Sequence, residues 1–222
     1  MPMPPVRPTH HPSQARLLDY ASGSLTEPLA LLVATHLALC PLCRRGLAEL
    51  EAVGGALLEA LLPEPVADDS LARLLARIDR PAPPAEPVAG AAPAAAELVL
   101  PQPLRDYVGS LDRVAWRHLG PLSEARLLTG FEKFTTRLLR VTPGTALPRH
   151  THAGSELTLV LQGGFSDVTG HYLRGDVCDA DSGVDHRPVA DQDEICVCLI
   201  VTDAPLRLTG WLGRLLNPFI RI

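Results

Sequence analysis

The spacing of apolar positions changes once along the chain. Up to about residue 80 it is helical, with apolar side chains three and four apart. Ser13–Ala21 reads as a short helix ending near Gly23. Ser24-Leu25-Thr26-Glu27 fits a capping box, and Pro28 suits a first helical turn, so a second helix runs through Leu29 to Leu39. A third extends from Pro41 to Leu62, with Leu47, Leu50, Val53, Leu57, Leu58 and Leu61 as its apolar stripe. Pro63 and Pro65 stop it, and Asp68-Asp69-Ser70 opens a fourth amphipathic helix through Ile78. In the second half the runs become short: Phe134–Val141, Glu156–Gln162, Glu194–Thr202 and Leu206–Trp211 read as strands. Turn signals such as Pro143-Gly144, Gly163-Gly164 and Arg174-Gly175-Asp176 separate them, which predicts an all-β sandwich or barrel.

Between the halves, residues 81–97 hold thirteen Pro or Ala in seventeen positions. Such a segment lacks the bulky apolar surface to fold alone and reads as a semi-rigid spacer. The expected organisation is therefore two-domain, α then β: a helical domain over 1–80, a Pro/Ala-rich linker over 81–97, and a β domain over 98–222. Residues 1–9 are Pro-rich and expected to be loose until something fixes them.

Composition narrows the class. The chain has 222 residues, 46% of them hydrophobic and 20% charged, enough for a sizeable core. Its formal net charge of −5 argues against direct nucleic-acid binding and leaves room for a basic protein partner. Arg outnumbers Lys nineteen to one, and with abundant Ala and Pro this points to a GC-rich bacterial genome. Only Cys40 and Cys43, of five cysteines, form a C-x-x-C pair near a histidine, a pattern of a reducing compartment. The first residues lack the basic and apolar regions of a signal peptide, and no apolar run of about 20 residues occurs. A cytoplasmic location is expected.

Chemistry concentrates at two places. The first is His36-x3-Cys40-x2-Cys43. Residues four apart share a helix face, so His36 and Cys40 can grip one ion, and the Cys40-Pro41-Leu42-Cys43 turn brings a second sulfur to it. Two thiolates and an imidazole suit zinc, and a structural site takes four ligands. The other histidines of this half are His10 and His11; one should bind and its neighbour should face solvent, and spacing does not choose between them. The bland alternative is two small buried cysteines and a histidine at a helix end.

The second place is His150-x-His152-x3-Glu156. Extended residues two apart share a face, so both imidazoles can point into one barrel, with Glu156 returning at the start of the next strand. His186 offers a third imidazole. Three histidines and a carboxylate suit Zn, Mn, Fe or Ni alike. His118 and His171 lie outside both groups and read as surface or packing residues. Cys178, Cys196 and Cys198 read as small buried side chains, although Cys196 and Cys198 share one strand face and could act in redox chemistry.

The run from His11 through Cys43 resembles the zinc-binding anti-sigma domain, an upstream His followed by His-x3-Cys-x2-Cys, in the ChrR-type branch where a cupin follows. In that branch the upstream ligand lies twenty-five positions before the second histidine, which selects His11 here. The stretch from Gly144 to Gly163 resembles the first cupin motif throughout, and Gly175 to His186 the second, with Asp181 where proline is usual and Ala190 where asparagine often closes it. The resemblance implies a small zinc-bound four-helix domain followed by a double-stranded β-helix, or jelly roll. It also implies metal at His11, His36, Cys40 and Cys43 and at His150, His152, Glu156 and His186. The function it implies is capture of an extracytoplasmic-function sigma factor, released under singlet-oxygen or peroxide stress. Cupins often dimerise through strand edges, so a homodimer is a further expected association. The competing expectation is a metal-dependent cupin dioxygenase or isomerase carrying an accessory zinc module.

Overall fold

A computed structural model of the protein describes residues 7–80 and 100–209; the expected linker at 81–97 lies outside them. The helical half contains α1 (Gln14–Ala21), α2 (Glu27–Leu39), α3 (Pro41–Glu59) and α4 (Ser70–Ile78). Ser13 caps α1 by accepting from the Arg16 N–H at 3.3 Å. The capping box expected before α2 is not formed. Thr26 is its N-cap without a side-chain bond, and the Ser24 hydroxyl donates instead to the Asp19 carbonyl at 3.1 Å. Pro41 has no N–H to continue α2 and suits the first position of a new helix, so Cys40 stays extended (φ −110°, ψ 103°) and the axes of α2 and α3 bend by 118°. That corner exposes both cysteines of the C-x-x-C pair to one point.

A fifth helix, α5 (Gln102–Val108), was not legible in the sequence: seven residues with Leu104 as their one buried side chain carry little periodic signal. Among the described residues twelve strands follow: β1 (Arg117–Leu119), β2 (Leu122–Leu127), β3 (Thr135–Val141), β4 (His150–His152), β5 (Glu156–Gln162), β6 (Gly164–Ser166), β7 (His171–Leu173), β8 (Val177–Ala180), β9 (Asp185–His186), β10 (Val189–Ala190), β11 (Cys196–Thr202) and β12 (Leu206–Leu208). They form a six-stranded sheet in the order β1-β2-β3-β11-β5-β8 and two three-stranded sheets, β10-β6-β7 and β12-β4-β9. All pairings are antiparallel, as in a jelly roll.

The large sheet is buried on both faces. Its inner face (Val141, Val160, Cys178, Cys196, Cys198 and Ile200) meets Phe165, Tyr172 and Ala190 from the opposing small sheet. Its outer face (Leu138, Leu157, Leu159, Leu161, Val177, Val197, Leu199 and Val201) packs against Leu31 and Leu32 of α2 and Leu104 of α5. Double burial explains why β11 reads as a continuous apolar run with no alternation, and why Thr158 of β5 is buried along with the leucines on either side of it. It also explains why α2 is apolar nearly all round: Leu31 and Leu32 face the barrel while Val33 and Leu37 join Leu17, Cys40 and Cys43 in the helical core. The two halves therefore share one core. At its rim, Arg16 holds Asp179 in a two-pronged ion pair (3.1 and 3.3 Å), and the Tyr107 hydroxyl donates to Glu27.

Candidate metal centres

Among the described residues, two groups of side chains converge closely enough to hold an ion. In each, the candidate ligand atoms lie within 4.8 Å of one another: His11, His36, Cys40 and Cys43 in one, His150, His152, Glu156 and His186 in the other.

The first lies where α2, α3 and the segment before α1 meet. His11 Nδ1 sits 3.5 Å from both Cys40 Sγ and Cys43 Sγ. His36 is fully buried, its Nδ1 donates to the Gly175 carbonyl at 2.8 Å, and its Nε2 has no partner among the described residues. A carbonyl can only accept, so Nδ1 carries the hydrogen and Nε2 presents a bare lone pair inside the cluster. A buried acceptor without a donor is costly, and a cation there relieves it. Burial lowers the His36 pKa to about 4, keeping the ring neutral and ready to ligate. Burial, then the neighbouring Cys40, pushes the Cys43 thiol up to about 12, so a metal must displace its proton. The Cys43 N–H at the start of α3 already donates to Cys40 Sγ at 3.4 Å. Nitrogen and sulfur donors of this kind fit a tetrahedral zinc ion with no position left for water.

The His10 side chain is partly exposed, at 38%, and its other side meets the barrel. Its ring lies 4.5 Å from the Tyr172 ring, and its Nδ1 is 3.5 Å from Asp176 Oδ2. The neighbour of His11 is thus a contact to the barrel.

The second group closes one end of the barrel. β4 supplies His150 and His152, β9 pairs His186 opposite His150, and Glu156 opens β5. His186 Nε2 lies 3.1 Å from both His150 Nε2 and His152 Nε2. His150 Nδ1 donates to the Pro148 carbonyl at 2.7 Å and His186 Nδ1 to the Asp167 carboxylate at 2.6 Å. With each Nδ1 committed to an acceptor, the Nε2 atoms of the two rings stand face to face, where a cation between them would be held by both. Burial, with His150 and His186 beside it, lowers the His152 pKa to about 4, and burial raises that of Glu156. A metal would reverse the cost of ionising Glu156. Burial alone would raise Asp167, but donors from Thr169 and His186 outweigh it and hold its carboxyl below the ordinary value. The adjoining cavity, about 90 Å³, is walled by Arg137, Thr158, Phe165 and the three barrel cysteines. Cys196 Sγ and Cys198 Sγ stand 3.6 Å apart on it. His118 and His171 lie at the surface, bonded to Ser123 and Asp191.

Spacing missed the residues that orient these ligands. Asp167, Gly175 and Asp176 sit in turns, and nothing in a linear sequence ties Gly175 to a histidine 139 positions earlier.

Together, a helical module with a His2Cys2 cluster and a barrel with a His3Glu cluster define a two-part regulator of the anti-sigma type. The family model for the ChrR cupin-like domain matches residues 104–205. The anti-sigma-E factor ChrR of Cereibacter sphaeroides is 46% identical over 215 residues, spanning 96% of this chain and 98% of that protein. The chain belongs to the ChrR family of anti-sigma factors. A crystal structure of Rhodobacter sphaeroides SigE in complex with the anti-sigma ChrR matches at 42% identity and a TM-score of 0.74, covering 87% of this chain and 98% of the matched one. An RmlC-like cupin protein from Ralstonia eutropha is similar at 14% identity over 46% of this chain and 71% of its own, with a TM-score of 0.39, too remote to carry an argument.

Proposed function

We propose that this chain captures an extracytoplasmic-function sigma factor through the far end of α3 and through α4. One observation carries the reading. From Glu51 to Asp69 every residue is exposed, and α4 buries none of its side chains. Leu57, Leu58, Leu61 and Leu62 are 66–90% exposed, and Leu71, Leu74, Leu75 and Ile78 of α4 50–69%. Elsewhere the same chain packs leucine to zero exposure, so this concentration of exposed apolar surface is what a helix-binding partner would cover. The relatives favour a regulator over the dioxygenase or isomerase alternative.

The remaining assignments belong to the same proposal. The chain divides into 1–80, a linker at 81–97 and 98–222. His11, His36, Cys40 and Cys43 hold structural Zn²⁺; His150, His152, Glu156 and His186 hold Zn²⁺ or another divalent ion in the barrel. Zinc would supply cross-linking in the helical half, tying the segment before α1 to the α2–α3 corner. Capture takes place in the cytoplasm. Release follows oxidative damage, either to the Cys40 and Cys43 thiolates or through the barrel.

Co-expression with an extracytoplasmic-function sigma factor of the same organism tests the reading. Affinity purification should recover the two as a stoichiometric complex. Changing Leu74 and Leu75 together to Asp should abolish recovery and leave zinc content intact; undiminished recovery sinks the assignment of this surface.

A further inference from the structure

We infer that the barrel turn Leu173–Val177 holds both imidazole ligands of the helical metal site, with Asp176 as the positioning residue, and that this turn couples the two metal centres. This rests on the zinc reading of the first centre.

The thiolates and the imidazoles of that centre are held by different parts of the molecule. Cys40 and Cys43 are set by the α2–α3 corner alone. The imidazoles are set by three consecutive barrel residues. The Gly175 carbonyl takes the His36 Nδ1–H at 2.8 Å, which fixes both the tautomer and the ring plane. Asp176, 2% exposed, accepts at Oδ1 from the N–H groups of Thr9 (2.6 Å) and His10 (3.0 Å), while Oδ2 accepts from Leu173 N–H at 2.9 Å. The Val177 N–H donates to the His10 carbonyl at 3.1 Å. The backbone immediately before His11 is thus clamped like an added strand, and His11 emerges with Nδ1 3.5 Å from each sulfur. Without the Asp176 carboxylate, two N–H groups next to a ligand lose a charged acceptor.

The same turn is locked to β5. Gly175 N–H donates to the Val160 carbonyl at 2.8 Å, and Val160 N–H to the Asp176 carbonyl at 3.1 Å. Four residues along this fully buried strand stands Glu156, a ligand of the second centre. A change in how Glu156 is held therefore reaches the turn through a strand paired on both sides, with β11 and with β8. By linkage the effect runs both ways, so ion retention at one centre depends on loading at the other. Lifting the barrel turn would free both imidazoles at once and leave zinc on two thiolates.

The test uses the full, zinc-loaded chain and follows metal release to a chromogenic chelator. A second readout is the thiolate-to-metal charge-transfer band of the Co²⁺ form, which reports only the sulfur-ligated centre. Asp176→Ala should speed release from that centre roughly tenfold and alter the band. Asp176→Asn, which keeps one acceptor oxygen, should fall between it and the parent and serves if the alanine form does not fold. Arg16→Ala breaks the Asp179 ion pair on the same interface without touching a ligand, and should change neither. Glu156→Gln should speed release from the sulfur centre severalfold. Parent-like release and spectrum in both Asp176 variants overturn the positioning role, as does an Arg16→Ala effect equal to that of Asp176→Ala. No effect of Glu156→Gln overturns the coupling. If the parent shows no charge-transfer band at all, the zinc reading itself fails, and that outcome is separate from the others.

Discussion

His36 carries two requirements on one ring: a hydrogen at Nδ1 for Gly175 and, on the proposed zinc reading, a bare Nε2 for the ion. Both demand the neutral form, and burial enforces it. Burial lowers His152 in the same way, and both fall from 6.5 to about 4. A depressed folded-state value means the unfolded chain takes protons first as pH drops. Stability is thus fully present above pH 6.5 and is lost as pH falls toward about 4, by at most about 3 kcal/mol per ring. For chelator-treated protein, the melting temperature should fall steeply between pH 7 and 4 in thermal denaturation; a flat profile would contradict the burial argument. His36 with Cys40 and His150 with His152 were legible from spacing, because i, i+4 on a helix and i, i+2 on a strand are local geometry, whereas the choice of His11 over His10 came from the family resemblance alone. The supports of these side chains were not legible: Asp167 and Asp176 act across turns far away in sequence.

At the scale of elements, burial separates helices that look alike in sequence. α2 and α4 are both leucine-rich, yet Leu32 is fully buried against the barrel and Leu74 is 51% exposed. Leu32→Ala should destabilise by about 2–5 kcal/mol, whereas Leu74→Ala should stay within about 0.5 kcal/mol; chemical denaturation of the two variants checks the contrast. The β5–β6 turn imposes a second test. Gly163 has φ +64°, and a Cβ there would lie 2.7 Å from the Ile195 carbonyl oxygen. Gly163→Ala should cost roughly 1–3 kcal/mol, read from the same denaturation curves. The long strands were legible as apolar runs and β12 lies inside the expected Leu206–Trp211 strand, but β6, β7, β9 and β10 are two or three residues each, too short for any period to register.

For the whole molecule, the shared core outweighs the covalent connection. Leu31 and Leu32 pack into the barrel's outer layer, flanked by the Arg16–Asp179 and Tyr107–Glu27 contacts. A protease site placed within 81–97 and cut in the folded protein should leave the two pieces co-eluting on size exclusion. Separation at micromolar concentration would show that the α2 contact is too weak to join the halves. Adding Leu32→Ala should loosen the cut form more than the intact one, since the intact chain is held at high effective concentration.

What the sequence determined by itself is local: the helical first half, the β-rich second half, the two sets of ligand-type residues, and membership of a family through their spacing. Each depends on neighbours within a few turns or on a pattern repeated at fixed intervals. Only the tertiary structure decided that the halves share a core, that α2 is buried on both sides while α4 is left bare, and that a barrel turn holds the histidines of the helical centre. Those facts depend on which distant surfaces meet, and a spacing of 139 residues between His36 and Gly175 leaves no trace in local pattern.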